Sequence, residues 1–261
     1  MSDHGRFIWY ELMAPDMGQE KKFYGDVLGW TANDMPNPGG DAPPYSVFET
    51  DGVGVAGGMP LMDQMRAEGI PPNWTGYVAV DDCDAAAEKA KQLGGTVRQP
   101  PMDIPGIGRF AIITDPGGAV IAIMKPAPME QEPPPRPARA APGYAGWREL
   151  AAADLARDWP FYEQLFGWKK TGAHDMGAMG TYQLFGNQDG EIGGMMTKPP
   201  NIPMPGWTYY FEVSDIDAAA RTVKADGGQV LNGPMEVPGG SRVLQAQDPG
   251  GAHFALVMSN A

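Results

Sequence analysis

One cysteine in 261 residues, Cys83, leaves no partner for an intrachain disulfide and points to a reducing compartment. Basic residues are also few: 19 Lys and Arg against 32 Asp and Glu give a formal net charge of −13. That balance repels nucleic-acid phosphates and anionic membrane surfaces; it attracts cationic ligands, or serves solubility alone. No apolar run approaches the roughly 20 residues of a membrane-spanning helix. The stretch MSDHGRFIWYELM at the amino terminus lacks a basic region, a long apolar region and a small-residue cleavage site, so no signal peptide is expected. These shortages predict a cytoplasmic protein whose partners include neither nucleic acid nor membrane.

What the sequence has is internal repetition. Trp9–Trp30 set against Trp147–Trp168 without gaps matches at nine of 22 positions, including Glu11 with Glu149, Phe23–Tyr24 with Phe161–Tyr162, and Gly29–Trp30 with Gly167–Trp168. Trp74–Ile123 against Trp207–Leu256 matches at 24 of 50, including WT, DAAA, GG, PM, PG and DPGGA. Identity at constant offset over that length marks a tandem duplication of domain-sized copies. The proline-rich join predicts a semi-rigid linker over residues 127–143, between an N-terminal domain, 1–126, and a C-terminal domain, 144–261.

Each copy reads as strand, helix, strands, twice over. RFIWYELM is a strand, and Asp16 can cap a following helix that buries Phe23, Val27 and Leu28. YSVFET and VGVAGGM are short strands joined at DG, TGYVAV is another, DAAAEKAKQLGG is a helix with a glycine stop, and GRFAIITDPGGAVIAIM is a hairpin turning on DPGG. The expected class is α+β, built of four βαβββ units. Pro160 falls inside the first helix of the second copy and predicts a kink or a later start.

WYELMAPD…FYGDVLGW, the helix ending in LGG, and DPGGAVIAI resemble the vicinal oxygen chelate superfamily of glyoxalases, extradiol dioxygenases, and fosfomycin and bleomycin resistance proteins. The tandem form with W-x-E-L near each domain start is most similar to its two-domain glyoxalase/bleomycin resistance members. The resemblance covers nearly the whole chain outside the linker. It implies paired βαβββ units whose two sheets curl around cavities, a small-molecule ligand, and, in metal-dependent members, a divalent ion held by four side chains, usually His and Glu. Carried onto this sequence, those four places fall at Trp9, Gly57 or Gly58, Thr75 and Ala122, and in the second copy at Trp147, Gly193 or Gly194, Thr208 and Ala255. Trp, Gly and Ala offer no side-chain lone pair and Thr is a weak donor, so no cofactor is expected, although a divalent metal stays possible.

Alternation along a strand puts Glu11 on the side of Trp9, and Glu149 on the side of Trp147. Such a wall can stack on a ring and pair with a cation or donor; the competing reading is buried Trp core with Glu in structural hydrogen bonds. Thr75 and Tyr77 share a face in one copy; Thr208, Tyr210 and Glu212 share it in the other. The ligand-binding set is therefore Trp9, Glu11, Thr75, Tyr77, Trp147, Thr208 and Tyr210. Glu212 replaces Ala79 and His253 replaces Val120, so Glu149, Glu212 and His253 are the candidate acid–base groups of the second copy, or structural residues, or a displaced one-His, two-carboxylate metal set. His4 and His174 fall in segments read as loops.

The glycines of VAGGMP and EIGGMM lack phosphate-loop spacing and suit close packing against the strand, while Met59, Met195 and Met196 beside them can fill a core or line a pocket. Cys83 heads a helix, where the dipole can lower its pKa, but its counterpart Ile216 argues for ordinary packing. Two functions follow: a metal-independent glyoxalase-like enzyme, a lyase, isomerase or oxidoreductase; or a protein that binds a cationic or aromatic, antibiotic-type molecule without changing it. Two copies in one chain can satisfy internally the pairing that single-domain members obtain by dimerising, which favours a monomer over a homodimer.

Overall fold

A computed structural model describes residues 2–36, 43–128 and 141–260. The first copy runs β1 (Phe7–Ala14), α1 (Met17–Leu28), β2 (Thr31–Met35), β3 (Tyr45–Thr50) and β4 (Val53–Pro60), then a short α2 (Asp63–Ala67). It continues with β5 (Asn73–Ala79), α3 (Cys83–Gln92), β6 (Thr96–Ile104), β7 (Gly108–Thr114) and β8 (Val120–Pro126). The second copy repeats the plan as β9 (Ala145–Ala152), α4 (Leu155–Phe166), β10 (Lys169–Asp175), β11 (Thr181–Asn187) and β12 (Gly190–Thr197). It ends with β13 (Gly206–Glu212), α5 (Ile216–Ala225), β14 (Gln229–Glu236), β15 (Arg242–Gln247) and β16 (His253–Met258). The four βαβββ units are therefore present, in the α+β class. Most of the proline-rich join lies outside the described residues.

Local chemistry explains the element ends. The side chains of Asp16 and Asp154 accept backbone amides of the first helical turn, and Gly29 and Gly167 close the same helices with φ of 72° and 71°, where only glycine is unstrained. Pro160 lies inside α4, which nevertheless starts directly after its cap, so the later start does not occur. Asp115 and Asp248 turn the two DPGG hairpins by accepting the amides of Ala119 and Ala252 at 2.8 and 2.7 Å. His174 belongs to β10 and not to a loop.

The strands form two eight-stranded mixed sheets, ordered β2-β3-β4-β1-β5-β8-β7-β6 and β10-β11-β12-β9-β13-β16-β15-β14. By proximity of backbone the chain divides into two compact units that do not follow the repeats. One comprises Met1–Trp9, Thr75–Pro133 and Arg148–Thr208; the other Tyr10–Trp74, Pro134–Trp147 and Tyr209–Ala261.

In the first unit Trp168 is fully buried, stacked on Tyr162 at 5.6 Å and on Phe7 at 5.5 Å, with its indole N–H donating to the carbonyl of Gly5 at 2.7 Å. In the second, Trp30 packs on Phe211 at 5.1 Å and Phe48 at 5.2 Å and donates to the carbonyl of Gly143 at 2.8 Å. The duplicated Gly-Trp pairs thus end a helix and anchor a core. Trp168→Ala should cost about 3–5 kcal/mol of stability through lost burial, measured as a lower urea midpoint.

Candidate functional site

In the first unit Trp9, half-buried, packs with Ile8, Ile104, Phe110 and Ile112 against buried Tyr77, Ala122 and Met124. Tyr77 lies 6.1 Å from the Phe110 ring and beside Ala122 in the β5–β8 register. Thr75 is buried on the same strand. In the second unit the matching patch is smaller and more polar: Trp147 and Val243 pack on Tyr210, Ala255 and Val257, and Gln245 donates to the Tyr210 hydroxyl at 3.0 Å. Val243, Gln245 and Val257 stand where the first copy has Phe110, Ile112 and Met124. Thr208 is half-buried on β13.

The two carboxylates next to these tryptophans have the same partner in both copies. Glu11 accepts the hydroxyl of Tyr45 at 3.0 Å, and Glu149 accepts that of Tyr182 at 2.9 Å. Each pair sits on a glycine, Glu11 facing Gly57 in the parallel β1–β4 register and Glu149 facing Gly194 in β9–β12. A Cβ on Gly57 would lie 2.0 Å from the Tyr45 oxygen, and one on Gly194 2.3 Å from that of Tyr182. The tyrosine therefore needs glycine beneath it to reach across the sheet to the carboxylate. Neither tyrosine was singled out from sequence; the available signal was their recurrence twelve residues before Gly57 and Gly194. One step along β4 the copies exchange volume: Gly58 admits the Met17 side chain from α1, whereas β12 has the fully buried Met195 and α4 begins with Leu155.

Glu212 is buried, and its carboxylate accepts the Ser259 hydroxyl at 2.6 Å and the Ser259 amide at 3.3 Å. It lies over Gly146, where a Cβ would come within 2.2 Å of its Oε1. The first copy fills the corresponding space with Ile8 and Ala79, so Glu212 comes with a compensating glycine. His253 is exposed at the start of β16, its ring 3.5 Å from the Gln247 amide nitrogen. Glu212 faces Val257 in the β13–β16 register, four residues beyond His253 and so about 13 Å along the strand. These two do not share an ion or a proton in this arrangement.

The places where the resemblance puts metal ligands do not fit a divalent ion. Gly57 and Gly194 have no side chain and lie under tyrosines, while Ala122 and Ala255 are buried methyls. Among the described residues no cluster of three His, Cys, Asp or Glu forms elsewhere. Cys83 is buried, and burial, with Asp84 adding to it, pushes its thiol up to about 11; desolvation outweighs the helix dipole expected to lower it.

A family model described as the Glyoxalase/Bleomycin resistance protein/Dioxygenase superfamily matches residues 6–123 and 144–256. A protein of Mycobacterium tuberculosis named as a glyoxylase, CFP32, is 36% identical over 257 residues, covering 95% of this chain and 93% of its own length. The anthracycline biosynthesis protein DauV of Streptomyces sp. (strain C5) is 32% identical over 265 residues, with 97% and 93% covered. The Mn(II)-bound glyoxalase of Novosphingobium aromaticivorans matches in fold with a TM-score of 0.66 at 16% identity, over 99% of this chain and 83% of that one. The 2,3-dioxygenase LapB of Pseudomonas sp. KL28 gives 0.66 at 14%, over 100% and 94%. At such identities the two structures establish shared fold alone.

Gly57→Ala should destabilise by about 1–3 kcal/mol, because the methyl collides with Tyr45. In a Tyr45→Ala background the same substitution should cost clearly less, a coupling read from a double-mutant cycle of urea midpoints.

Proposed function

The chain belongs to the Glyoxalase/Bleomycin resistance protein/Dioxygenase superfamily, and we propose that within it this protein binds and converts a small, partly aromatic molecule without a divalent metal. The observation that carries this reading is the duplicated tyrosine–carboxylate pair seated on glycine, at one of the places a metal-dependent member would use for a ligand. A phenol hydrogen-bonded to a carboxylate can pass a proton to or from a ligand hydroxyl or carbonyl, and an indole or phenol wall can hold a ring. Trp9 with Tyr77, and Trp147 with Tyr210, supply such walls. Thr75 and Thr208 contribute hydroxyls on the strands that carry those tyrosines, and in the second copy Glu149 is the candidate acid–base group. Glu212 and His253 are kept as lesser candidates, since one is committed to Ser259 and the other lies in solvent.

Binding without turnover is the second reading. It is favoured by the presence of the same pair in both copies and by the name of the anthracycline biosynthesis relative, which points to flat polycyclic ligands. The acidic charge suits a cationic substituent on such a ligand. One buried cysteine supports residence in a reducing cytoplasm, and the tandem repeat supports a monomer.

An anthracycline such as daunorubicin, titrated against tryptophan fluorescence, should quench the wild type saturably, and Trp9→Phe combined with Trp147→Phe should weaken the apparent affinity at least tenfold. Where a ligand is turned over, Tyr182→Phe should lower kcat by about 10²-fold or more with little change in affinity. Equal loss of affinity and turnover would favour simple binding, and no saturable response would set aside the aromatic-ligand reading.

A further inference from the structure

Each helix that follows the first strand of a copy buries an acid: Glu20 on α1 and Asp158 on α4, both fully inaccessible, at corresponding positions. Each presses on a DPGG turn. A Cβ on Gly250 would lie 2.7 Å from Glu20 Oε1, and one on Gly117 2.5 Å from Asp158 Oδ2. The two acids differ in what neutralises them. Asp158 receives the Arg157 guanidinium, Nε at 2.7 Å and Nη2 at 3.2 Å, together with the Asp154 amide at 3.1 Å. Glu20 follows Gln19 where Asp158 follows Arg157, and among the described residues neither of its oxygens makes a hydrogen bond of good geometry, the Gly250 amide lying near but off line.

Among the described residues, the groups around Glu20 bring no positive charge to it. From the turn between β15 and β16 come Asp248 and the Gly250 amide; from α1 come Asp16 and Tyr24. The Tyr24 hydroxyl is committed to Asp248 at 2.8 Å and is itself bonded by the neutral indole of Trp74 on β5 at 2.8 Å. From α5, Asp226 is met by Lys22, whose ammonium lies on the exposed side of α1. A buried, unpaired carboxylate beside a second carboxylate is too costly to persist ionised, and a proton is the simplest neutraliser.

We propose that Glu20 is a proton-operated latch: a proton held beside Asp248 takes the place that the Arg157 guanidinium has in the other copy, and losing it loosens α1 from the β15–β16 turn. Burial first, and the Asp248 charge second, raise the Glu20 carboxyl to about 8, and burial raises Asp248 as well. The folded chain then binds a proton that the unfolded chain releases between the ordinary glutamate value of 4.5 and about 8. Stability from this group is full below that window, declines across it and is lost above it. Within it the unfolding constant rises by up to about tenfold per pH unit. Because α1 follows directly on β1, which carries Glu11, the latch ties the acidity of the surroundings to the strand that holds one tyrosine–carboxylate pair.

Urea unfolding of the full chain between pH 5.5 and 8.5, followed by tryptophan fluorescence, tests this with Glu20→Gln and Gln19→Arg. The unfolding constant of the wild type should rise relative to Glu20→Gln by several-fold to tenfold per pH unit up to about pH 8, and Gln19→Arg should flatten the wild-type slope. Parallel profiles for wild type and Glu20→Gln would overturn the proposal. If Glu20→Gln does not fold, an unchanged slope in Gln19→Arg overturns it equally.

Discussion

A buried tyrosine hydroxyl, clasped between an indole N–H and an aspartate of a DPGG turn, is the interaction on which both units depend. Tyr24 joins Trp74 and Asp248 in one, and Tyr162 joins Trp207 at 3.3 Å and Asp115 at 2.9 Å in the other. Burial drives the pKa of each phenol upward, so it remains a donor. The aspartate uses its second oxygen to close the hairpin, which leaves all three polar groups satisfied in an apolar, aromatic setting where an orphan would cost about 1–3 kcal/mol. Each clasp also takes its tyrosine from one copy and its aspartate from the other, which is why the compact units cross the repeat boundary.

That constraint accounts for much of the identity between the copies. The FY, WT and DPGGA signatures mark clasp residues, and the Gly-Trp pairs mark helix stops with a bonded indole. The surfaces on β1, β3 and β4, and on β9, β11 and β12, lie apart from those clasp residues. On both, glycine beneath tyrosine gives its space to a phenol–carboxylate pair. The patches around Tyr77 and Tyr210 have diverged, with Phe110, Ile112 and Met124 in one copy and Val243, Gln245 and Val257 in the other, so the two copies offer unlike surfaces.

The duplication, the four βαβββ units and the helix caps were legible in the sequence because they rest on local rules of period, capping and turn chemistry. The lack of good donors at Trp9, Gly57, Ala122 and their partners was legible too. Tyr45 and Tyr182 were not, since a residue that reaches diagonally across strands declares itself only once the register is known. Glu212 read as an addition to the chemistry because Ala79 stands opposite it in the alignment; its meaning changed when Gly146 and Ser259 turned out to make room and hydrogen bonds for it. Cys83 and Glu20 show the same limit, because burial, which decides their protonation, is a property of the packed chain.

Elemental analysis of the full chain purified without a histidine tag, coupled to its thermal midpoint before and after dialysis against a chelator, tests the central claim most directly. The proposal that the tyrosine–carboxylate pair works without a metal predicts far less than one divalent metal per chain and an unchanged midpoint. Near-stoichiometric metal, with a midpoint that falls on its removal and recovers on its return, would contradict it.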